Sequence, residues 1–534
     1  MSLRVSDSKL PITEHLSQIR QSMSLEEKIG QLLLVHFQGE KANEDARTMI
    51  QDVKVGGIVY YNWSNGLHSP EQVKALSSSL QDLATKNRIA LPLLIAADQE
   101  GGIVARLNQG FTAFPGNRAL AMTRNPALAK AAALAMGREM RAVGVNMNLA
   151  PVVDVNIEPQ NPVIGVRSYG DNAKTVITFG KEALSGFKEA GVLTTLKHFP
   201  GHGDVRVDSH KALPRLEKPL TVLEKTELLP FTELSPLADA VMTGHLLVPA
   251  FDTDNCSTLS ERTLTYLKQQ IGFEGPVITD SLVMEGVLEA GHINTVAIRA
   301  LKAGCDMLCL GGKQLVGSVS IELEPTDVKR IHAAIIQAVR SNEISEERIN
   351  DAVDRVLKLK RGLYTKPVLS ELNLDQHYSL AKQIANEAIE VISNCTERIY
   401  PIGSKNASIF APDLLRREIK ESSFPKIGAT ASMSMFAGLS PSVEDAEMAK
   451  FSAKTADVLC IFSYNAWKNP AQATLIQSLL EIGKPVILIA VRDPLDASLF
   501  PQADLIIKTF SPVGVSLEAA CDRIKKMEAY TQRD

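Results

Sequence analysis

Short apolar runs rich in β-branched residues recur through the first two thirds of this 534-residue chain. They alternate with stretches of helical periodicity, which is the pattern of successive βα units. The runs are QLLLVHF from Gln31, GGIVYYN from Gly56, LPLLIAAD ending at Asp98, NMNLAPVVDV from Asn146, LTTLKHF ending at Phe199, AVMTGHL from Ala240, PVITDSL from Pro276 and CDMLCLG from Cys305. Because each run is continuously apolar, we expect both faces of each strand to be buried. Eight such runs predict a (β/α)8 barrel.

The last third of the chain repeats the βα pattern on a smaller scale. An amphipathic helix over 350–363 ends in KRGLY, a helix-stop signal that closes the barrel. A linker and connecting helix over 366–394 follow. Further strands are predicted to begin at Ala407, Ala456, Pro485 and Ala503. Because single cores usually stop growing beyond about 250 to 300 residues, we expect a catalytic barrel over 1–365 and a smaller α/β sandwich domain over 395–534.

Charge and hydropathy exclude several classes of function. The chain has 57 Lys and Arg against 61 Asp and Glu, a net charge of −4, so no basic field would gather nucleic acid. Its apolar runs are shorter than the roughly 20 residues that a membrane span needs. We expect a cytoplasmic monomer or weak oligomer, with a removed signal or lipid anchor as the open alternative. The scattered cysteines form no CxxC pair and are interpreted as reduced core residues.

Polar residues stand at the ends of several predicted barrel strands. They are Asp98, Lys197, His198, His245 and Asp280. In such barrels the active site is built at the carboxyl ends of the strands. One such residue alone could merely cap a following helix, but four strand ends with polar residues predict a site.

The segment KHFPGHGDVRVDSHKALP, which starts at Lys197, is the densest cluster of ionisable residues. A zinc site is one interpretation, because His198, His202 and His210 stand near Asp204 and Asp208. It is disfavoured, since an HxxxH zinc motif needs a helix and the interposed Pro and Gly residues prevent one.

The Asp208 and His210 pair offers a second interpretation of the same segment. A carboxylate beside an imidazole fixes the ring tautomer and raises the imidazole pKa, so the protonated ring can act as a general acid near neutral pH. An unimportant surface histidine in a turn is the alternative for this triplet in isolation.

Two further segments carry candidate chemistry. In VITDSLVMEGV, Asp280 ends a strand and can serve as the carboxylate nucleophile that retaining glycoside hydrolysis requires, although helix capping is the simpler role. In AADQEGGIVARL, Asp98 and Arg106 suit recognition of sugar hydroxyls or form an ordinary loop salt bridge. Arg167, in NPVIGVRSYG, is another candidate donor.

Six motifs together resemble glycoside hydrolase family 3, and within it the two-domain bacterial β-N-acetylglucosaminidases. They are AADQEGG, NLAPVVDVN, NPVIGVRSYG, KHFPGHGDVRVDSH, TGHLLVPAFD and ITDSLVMEG, in family order across 25–363. The resemblance implies that Asp280 is the nucleophile and that Asp208 with His210 forms the acid/base dyad. It implies a set of residues that bind the N-acetylglucosamine (GlcNAc) ring: Asp98, Arg106, Arg167, Lys197 and His198. It implies no metal and no cofactor.

The implied reaction is retaining exo-cleavage of GlcNAc from peptidoglycan-derived fragments or chito-oligosaccharides through a covalent glycosyl-enzyme. The Asp-x-His dyad favours this branch, because many other members take a carboxylate acid/base from elsewhere. A β-N-acetylglucosaminide phosphorylase stays open, since a histidine in place of a carboxylate would let anionic phosphate reach the glycosyl-enzyme without like-charge repulsion. A β-glucosidase and an inactive sugar-binding protein are weaker alternatives.

Overall fold

The computed structural model describes residues 12–209, 212–316, 319–365 and 372–531. The chain divides into two compact units. The first comprises Met1–Glu100, Val104–Phe111 and Ala129–Asn373, and the second comprises Gly101–Ile103, Thr112–Leu128 and Leu374–Asp534.

The first unit contains the predicted barrel. Its strands within the described residues are β1 (Leu33–Val35), β2 (Gly57–Val59), β3 (Leu94–Ala97), β4 (Met147–Asn148), β5 (Leu193–Phe199), β6 (Ala240–Thr243), β7 (Val277–Ile278) and β8 (Leu308–Cys309). Each pairs in parallel with its sequence neighbour, and β8 pairs with β1. A parallel bridge between Ile278 and Met307 joins β7 to the start of β8. The barrel prediction is confirmed.

Helices connect these strands, and local sequence signals explain their limits. In Pro70–Ala84, Ser69 caps the first turn by accepting from the Gln72 N–H, and proline occupies the first turn. The helix predicted over 350–363 runs from Glu346 to Thr365. The other helices of this part of the chain are Ile12–Ser22, Leu25–Gln31, Glu44–Arg47, Asn62–Asn65, Pro126–Ala142, Ala173–Ala190, Leu220–Leu223, Leu229–Leu234, Glu261–Thr265, Glu285–Leu288, Ile293–Ala303 and Pro325–Arg340. Two short ribbons pair Gln99–Gly101 with Val104–Ala105 and Gln314–Val316 with Val319–Ile321.

The second unit is built on a mixed sheet. Its strands in the described part of the chain are β9 (Glu390–Ser393), β10 (Asn406–Pro412), β11 (Thr430–Phe436), β12 (Val458–Ser463), β13 (Val486–Ala490) and β14 (Leu505–Lys508). The order across the sheet is β9-β14-β13-β12-β10-β11, and only β9 runs antiparallel to its neighbour. The predicted strands β10, β12, β13 and β14 are present.

Strands β9 and β11 were not predicted from the sequence. Both are edge strands with partly exposed side chains, so neither carries the continuous apolar run of a buried strand. Strand β9 lies in the segment predicted as linker, after the expected helix, which spans Leu374–Ala388. The first residues of that predicted linker, 366–371, lie outside the described residues.

Apolar layers cover both faces of this sheet. On one face Cys460, Phe462 and Ile487 pack with Leu517 and Ile524 of the helix Gly514–Thr531. The opposite face packs against other helices through a second buried cluster. The remaining helices of this unit are Asn117–Met122, Arg416–Glu421, Val443–Thr455, Pro470–Leu480 and Leu495–Leu499. The predicted α/β sandwich is confirmed.

The six cysteines all lie within the described ranges and none forms a disulfide. Five are buried and Cys395 is partly buried, so most of them act as core residues. Among the described helices, none has the length and apolar character required to cross a membrane.

Candidate active site

A cluster of charged side chains lies at the carboxyl ends of β3 and β5. Lys197 Nζ is 2.8 Å from Asp98 Oδ1 and 2.7 Å from Glu100 Oε1. Arg167 donates two hydrogen bonds to Glu100, from Nε to Oε2 at 2.9 Å and from Nη2 to Oε1 at 2.8 Å. Arg106 Nη2 lies 3.2 Å from Asp98 Oδ2. The structure therefore brings together four residues predicted for this site and adds Glu100.

The charges in this cluster hold one another in their ionised forms. Burial alone would raise the pKa of both carboxyls, but Lys197 and Arg106 hold the pKa of Asp98 well below its usual range. Arg167 and Lys197 likewise lower the pKa of Glu100. Burial opposes the charge of Lys197, yet the two carboxylates outweigh it and raise the Lys197 pKa. The result is a fixed array of charged donors and acceptors, which suits recognition of sugar hydroxyls.

Asp154 organises the segment that follows β5. It is fully buried, and its carboxylate accepts from His198 Nδ1 at 2.7 Å and from the N–H groups of His198 at 3.1 Å and His202 at 2.7 Å. Burial would raise the Asp154 pKa, but the histidines and these hydrogen bonds lower it. Because Asp154 holds Nδ1, the His198 ring keeps Nε2 for a ligand.

Ser209, the residue between the predicted dyad residues Asp208 and His210, is held by hydrogen bonds to neighbouring segments. His202 Nε2 lies 3.0 Å from the buried Ser209 hydroxyl, and the Ser209 carbonyl accepts from the Gly286 N–H at 3.2 Å. Burial lowers the His202 pKa to about 4, so the ring is neutral. Asp208 is half-buried beside this anchor. His210 lies outside the described residues, so its pairing with Asp208 stays a prediction.

Asp280 lies at the end of β7, as expected. Its N–H donates to the Thr243 carbonyl at 3.2 Å, and its Oδ1 accepts from the Ser281 N–H at 2.7 Å. The Asp280 charge acts on His202, Tyr61 and Cys309, which belong to other strand ends. Asp280 therefore lies at the same end of the barrel as these strand ends, where the barrel fold builds its active sites.

His245, the remaining candidate at a strand end, has a structural role in the site. Its ring is fully buried, with Nδ1 2.8 Å from Thr258 Oγ1 and Nε2 2.9 Å from the Ser281 carbonyl. With both nitrogens engaged, it fixes the backbone next to Asp280.

An aromatic pair forms another part of the site. Tyr61 and Trp63, which follow β2, stack with ring centroids 4.4 Å apart. The Arg106 guanidinium carbon lies 5.4 Å from the Tyr61 centroid and 5.3 Å from that of Trp63. The pattern of charged residues at strand ends does not predict this pair, because both residues are aromatic.

Glu100 and Asp154 were also missed, although both stand within segments already singled out. Glu100 is two residues past Asp98, and Asp154 is the penultimate residue of the segment NMNLAPVVDV. Applying the strand-end rule to every carboxylate in those segments would have found both. Nothing local in the sequence marks the Ser209 anchor.

The model of the glycosyl hydrolase family 3 N terminal domain matches residues 24–359, more than half of the chain. The chain belongs to glycosyl hydrolase family 3. The β-hexosaminidase A of Pseudoalteromonas piscicida is 30% identical over 422 residues, which cover 71% of this chain and 69% of that relative. The β-hexosaminidase of Alkalilimnicola ehrlichii is 35% identical over 285 residues, 52% of this chain and 80% of the relative.

Among solved structures, a family 3 β-N-acetylglucosaminidase from Paenibacillus sp. str. FPU-7 has a TM-score of 0.86. It is 32% identical, and the match covers 95% of this chain and 97% of that one. The resemblance carried by the six motifs is thus confirmed, and with it the predicted enzyme class, a glycoside hydrolase that acts on carbohydrate.

Proposed function

We propose that this family 3 enzyme is a retaining exo-β-N-acetylglucosaminidase. The observation that carries the proposal is the position of Asp280 at a strand end in the barrel mouth that also holds the Lys197–Asp98–Glu100 cluster. A carboxylate nucleophile beside preorganised sugar-binding groups is what a covalent glycosyl-enzyme mechanism needs. The names of the β-hexosaminidase relatives and of the Paenibacillus enzyme support GlcNAc as the sugar.

In the first step, Asp280 attacks the anomeric carbon. The Ser281 N–H donates to Asp280 Oδ1 at 2.7 Å and so helps to orient the carboxylate. As the bond to the leaving oxygen breaks, imidazolium His210 gives that oxygen its proton. Asp98, Arg106, Arg167, Lys197 and His198 bind the GlcNAc ring.

In the second step, neutral His210 takes a proton from water, and the water oxygen attacks the anomeric carbon. The bond to Asp280 breaks, its carboxylate is restored, and two inversions give net retention. Asp208 orients the imidazole in both steps. The Ser209 anchor to His202 supports this role, because it fixes the main chain between the two dyad residues.

We propose short GlcNAc-terminated oligosaccharides, derived from peptidoglycan or chitin, as substrates. Both offer a terminal GlcNAc in β-linkage to a second sugar, which is the unit that the reaction requires.

Trapping the glycosyl-enzyme tests the nucleophile. A slow 2-deoxy-2-fluoro glycoside should label the peptide that contains Asp280, read by mass spectrometry. D280N should lower kcat by at least about 10⁴-fold, whereas D52N, at an exposed carboxylate on the barrel exterior, should not. A label on another peptide, or unchanged turnover in D280N, would contradict the proposal.

Product analysis separates the remaining alternatives. With p-nitrophenyl β-N-acetylglucosaminide as substrate, free GlcNAc should form at the same rate with and without phosphate. GlcNAc-1-phosphate as the main product would instead identify a phosphorylase. Faster cleavage of the matched p-nitrophenyl β-glucoside would identify a β-glucosidase.

A further inference from the structure

The dyad segment, residues 203–209, carries Asp208 and is held at both of its ends. At its start, the Gly203 carbonyl accepts from the Glu158 N–H at 3.2 Å. At its end, Ser209 makes the hydrogen bonds described above. Asp208 itself is half-buried between these points. Its position therefore depends on contacts that its neighbours in the segment make with the rest of the barrel unit.

Lys218 makes the closest of these contacts. Its Nζ lies 2.5 Å from Asp204 Oδ2, in the dyad segment, and 2.5 Å from Glu227 Oε1. The Lys218 side chain is 21% exposed, whereas Glu227 is fully buried and also accepts from the Thr226 hydroxyl. Burial opposes the charge of Lys218, yet the two carboxylates outweigh it and raise the Lys218 pKa. One ammonium group thus joins the dyad segment to a buried carboxylate.

Glu227 packs directly against the chain that leads into the dyad segment. Gly201 has a φ of +123°, and a Cβ atom there would lie 2.7 Å from Glu227 Cβ. Only glycine accepts this backbone conformation and so close an approach without strain. Lys218 therefore binds to a carboxylate whose position is fixed by close packing.

A second ion pair reaches the dyad segment but is more exposed. Arg206 Nε lies 2.7 Å from Glu158 Oε2, and the Arg206 side chain is 74% exposed. Exposed ion pairs contribute little, because water screens them and the long side chains lose entropy. Short charge-assisted hydrogen bonds at a partly buried site are stronger. We therefore expect the Lys218 contact to hold the segment more firmly than the Arg206 contact does.

We propose that Lys218, held by Glu227, is a positioning residue for the acid/base dyad. By fixing Asp204, it keeps Asp208 and the residue that Asp208 orients within hydrogen-bond reach of the leaving oxygen, which proton transfer requires. This inference rests on the proposed function, since it assigns a positioning group to the dyad of that same site.

Two substrates with different leaving groups test the positioning role. Methanol leaves methyl β-N-acetylglucosaminide only with a proton, whereas the dinitrophenyl glycoside releases a stable anion. In D204A, kcat/KM for the methyl glycoside should fall about tenfold, and kcat/KM for the dinitrophenyl glycoside should stay within about twofold of the parent. This variant leaves Lys218 paired with Glu227, so no buried carboxylate loses its cation.

Variants of Lys218 itself complete the test. K218M should show at least the same selective loss on the methyl glycoside as D204A. K218R should restore most of it, because a guanidinium group can donate to both carboxylates. Equal losses on the two glycosides in D204A would leave Asp204 and Lys218 with a structural role only, and no loss on either would remove any role. Both outcomes would overturn the proposal.

Lys268 supplies the matched control. Its side chain is 15% exposed, and its Nζ lies 2.9 Å from the fully buried Asp306, which also keeps Arg348 at 2.7 Å. Asp306 precedes β8, at the end of the barrel away from the catalytic residues. K268M should therefore leave the ratio of the two kcat/KM values at that of the parent. A shift in K268M equal to that in D204A would contradict the proposal.

Failure of the proposed function has a separate signature. If the parent cleaved neither glycoside, the proposed reaction would be wrong, and hydrogen exchange alone would then decide whether Lys218 holds the dyad segment. Amides of residues 203–209 should exchange faster in D204A and K218M than in the parent, and not in K268M. Unchanged exchange in D204A would contradict the inference, whatever the activity.

Discussion

Buried carboxylates lie at the carboxyl ends of parallel strands in both units, yet their ionisation differs. In the barrel, neighbouring cations lower the pKa of Asp98 and Glu100 despite their burial. In the second unit, burial dominates, raising the pKa of Asp493 and bringing that of Asp496 to about 6. The segments that follow parallel strands therefore support two different electrostatic outcomes.

Their partners explain the difference. Asp98 and Glu100 share the Lys197 ammonium, whereas Asp493 and Asp496 accept from main-chain N–H groups, of Leu495 and Trp467 respectively, each at 3.0 Å. A dipole compensates a buried charge less than a full cation does. The comparison teaches that a buried carboxylate of this chain stays ionised where a buried cation lies beside it, as in the cluster proposed to bind the sugar.

Removing the shared cation should have the largest effect. K197M leaves two buried carboxylates without their ammonium, so we expect the free energy of unfolding to fall by about 3–5 kcal/mol and kcat/KM by at least about 100-fold. Denaturant titration and steady-state kinetics measure the two effects.

Lys360 is the matched control for this substitution. It is equally buried, but its ammonium donates to the Gln31 amide oxygen at 2.7 Å, and burial lowers its pKa to about 7. K360M should change the free energy of unfolding by about 1 kcal/mol or less in either direction, because it leaves no buried carboxylate without a cationic partner. Equal destabilisation by both substitutions would contradict the comparison.

His202 should make the barrel sensitive to acid. Its pKa is about 4 in the folded chain against about 6.5 when unfolded. Between these values the unfolded chain binds a proton that the folded chain does not. The His202 contribution to the free energy of unfolding should therefore fall as pH drops from about 6.5 to about 4, by on the order of 3 kcal/mol.

In H202Q this pH dependence should be flatter, measured as urea midpoints at intervals between pH 7 and pH 4. Burial also lowers the pKa of His36 and His332, so part of the slope should remain in the variant. Parallel curves for the parent and H202Q would show that His202 is not buried as a neutral ring.

Asp496 should give the opposite pH dependence, somewhat smaller in size. Its pKa is raised from 3.8 to about 6 in the folded chain, so the unfolded chain loses a proton first as pH rises. The Asp496 contribution to the free energy of unfolding should fall between about pH 4 and pH 6, by on the order of 3 kcal/mol.

D496N should make that decline shallower, seen as a rise in the melting temperature relative to the parent above pH 6, and part of it should remain because burial also raises the pKa of Asp493. D413N, at an exposed aspartate of the same unit, should not. A decline of the same size in D496N would show that the pKa of Asp496 is not raised in the folded chain.

The smallest expected effect concerns the anchor of the dyad segment. S209A removes the hydroxyl bound to His202, so we expect kcat to fall about tenfold with little change in KM, as for loss of one buried hydrogen bond. Ser77 is a matched control, since it is equally buried and lies 3.0 Å from the Tyr60 hydroxyl on the barrel exterior. Equal kcat values in S209A and S77A would contradict the proposal that Ser209 positions the dyad.

The sequence by itself determined the barrel and the strand ends that carry its chemistry. Continuous apolar runs are a local property, and burial on both faces requires them, so β1 to β8 could be read directly. The position of Asp280 followed from the same logic. The partly exposed edge strands β9 and β11 lack such a run, which is why they were missed.

Only the tertiary structure decided which charges meet. Arg167 and Glu100 are 67 residues apart in the chain, and Asp154 and His198 are 44 apart, yet each pair is in direct contact. Barrel closure brings distant strand ends together, and local periodicity carries no record of that convergence. Whether a buried carboxylate stays ionised depends on those partners, so the sequence identified the chemistry and the fold set its electrostatics.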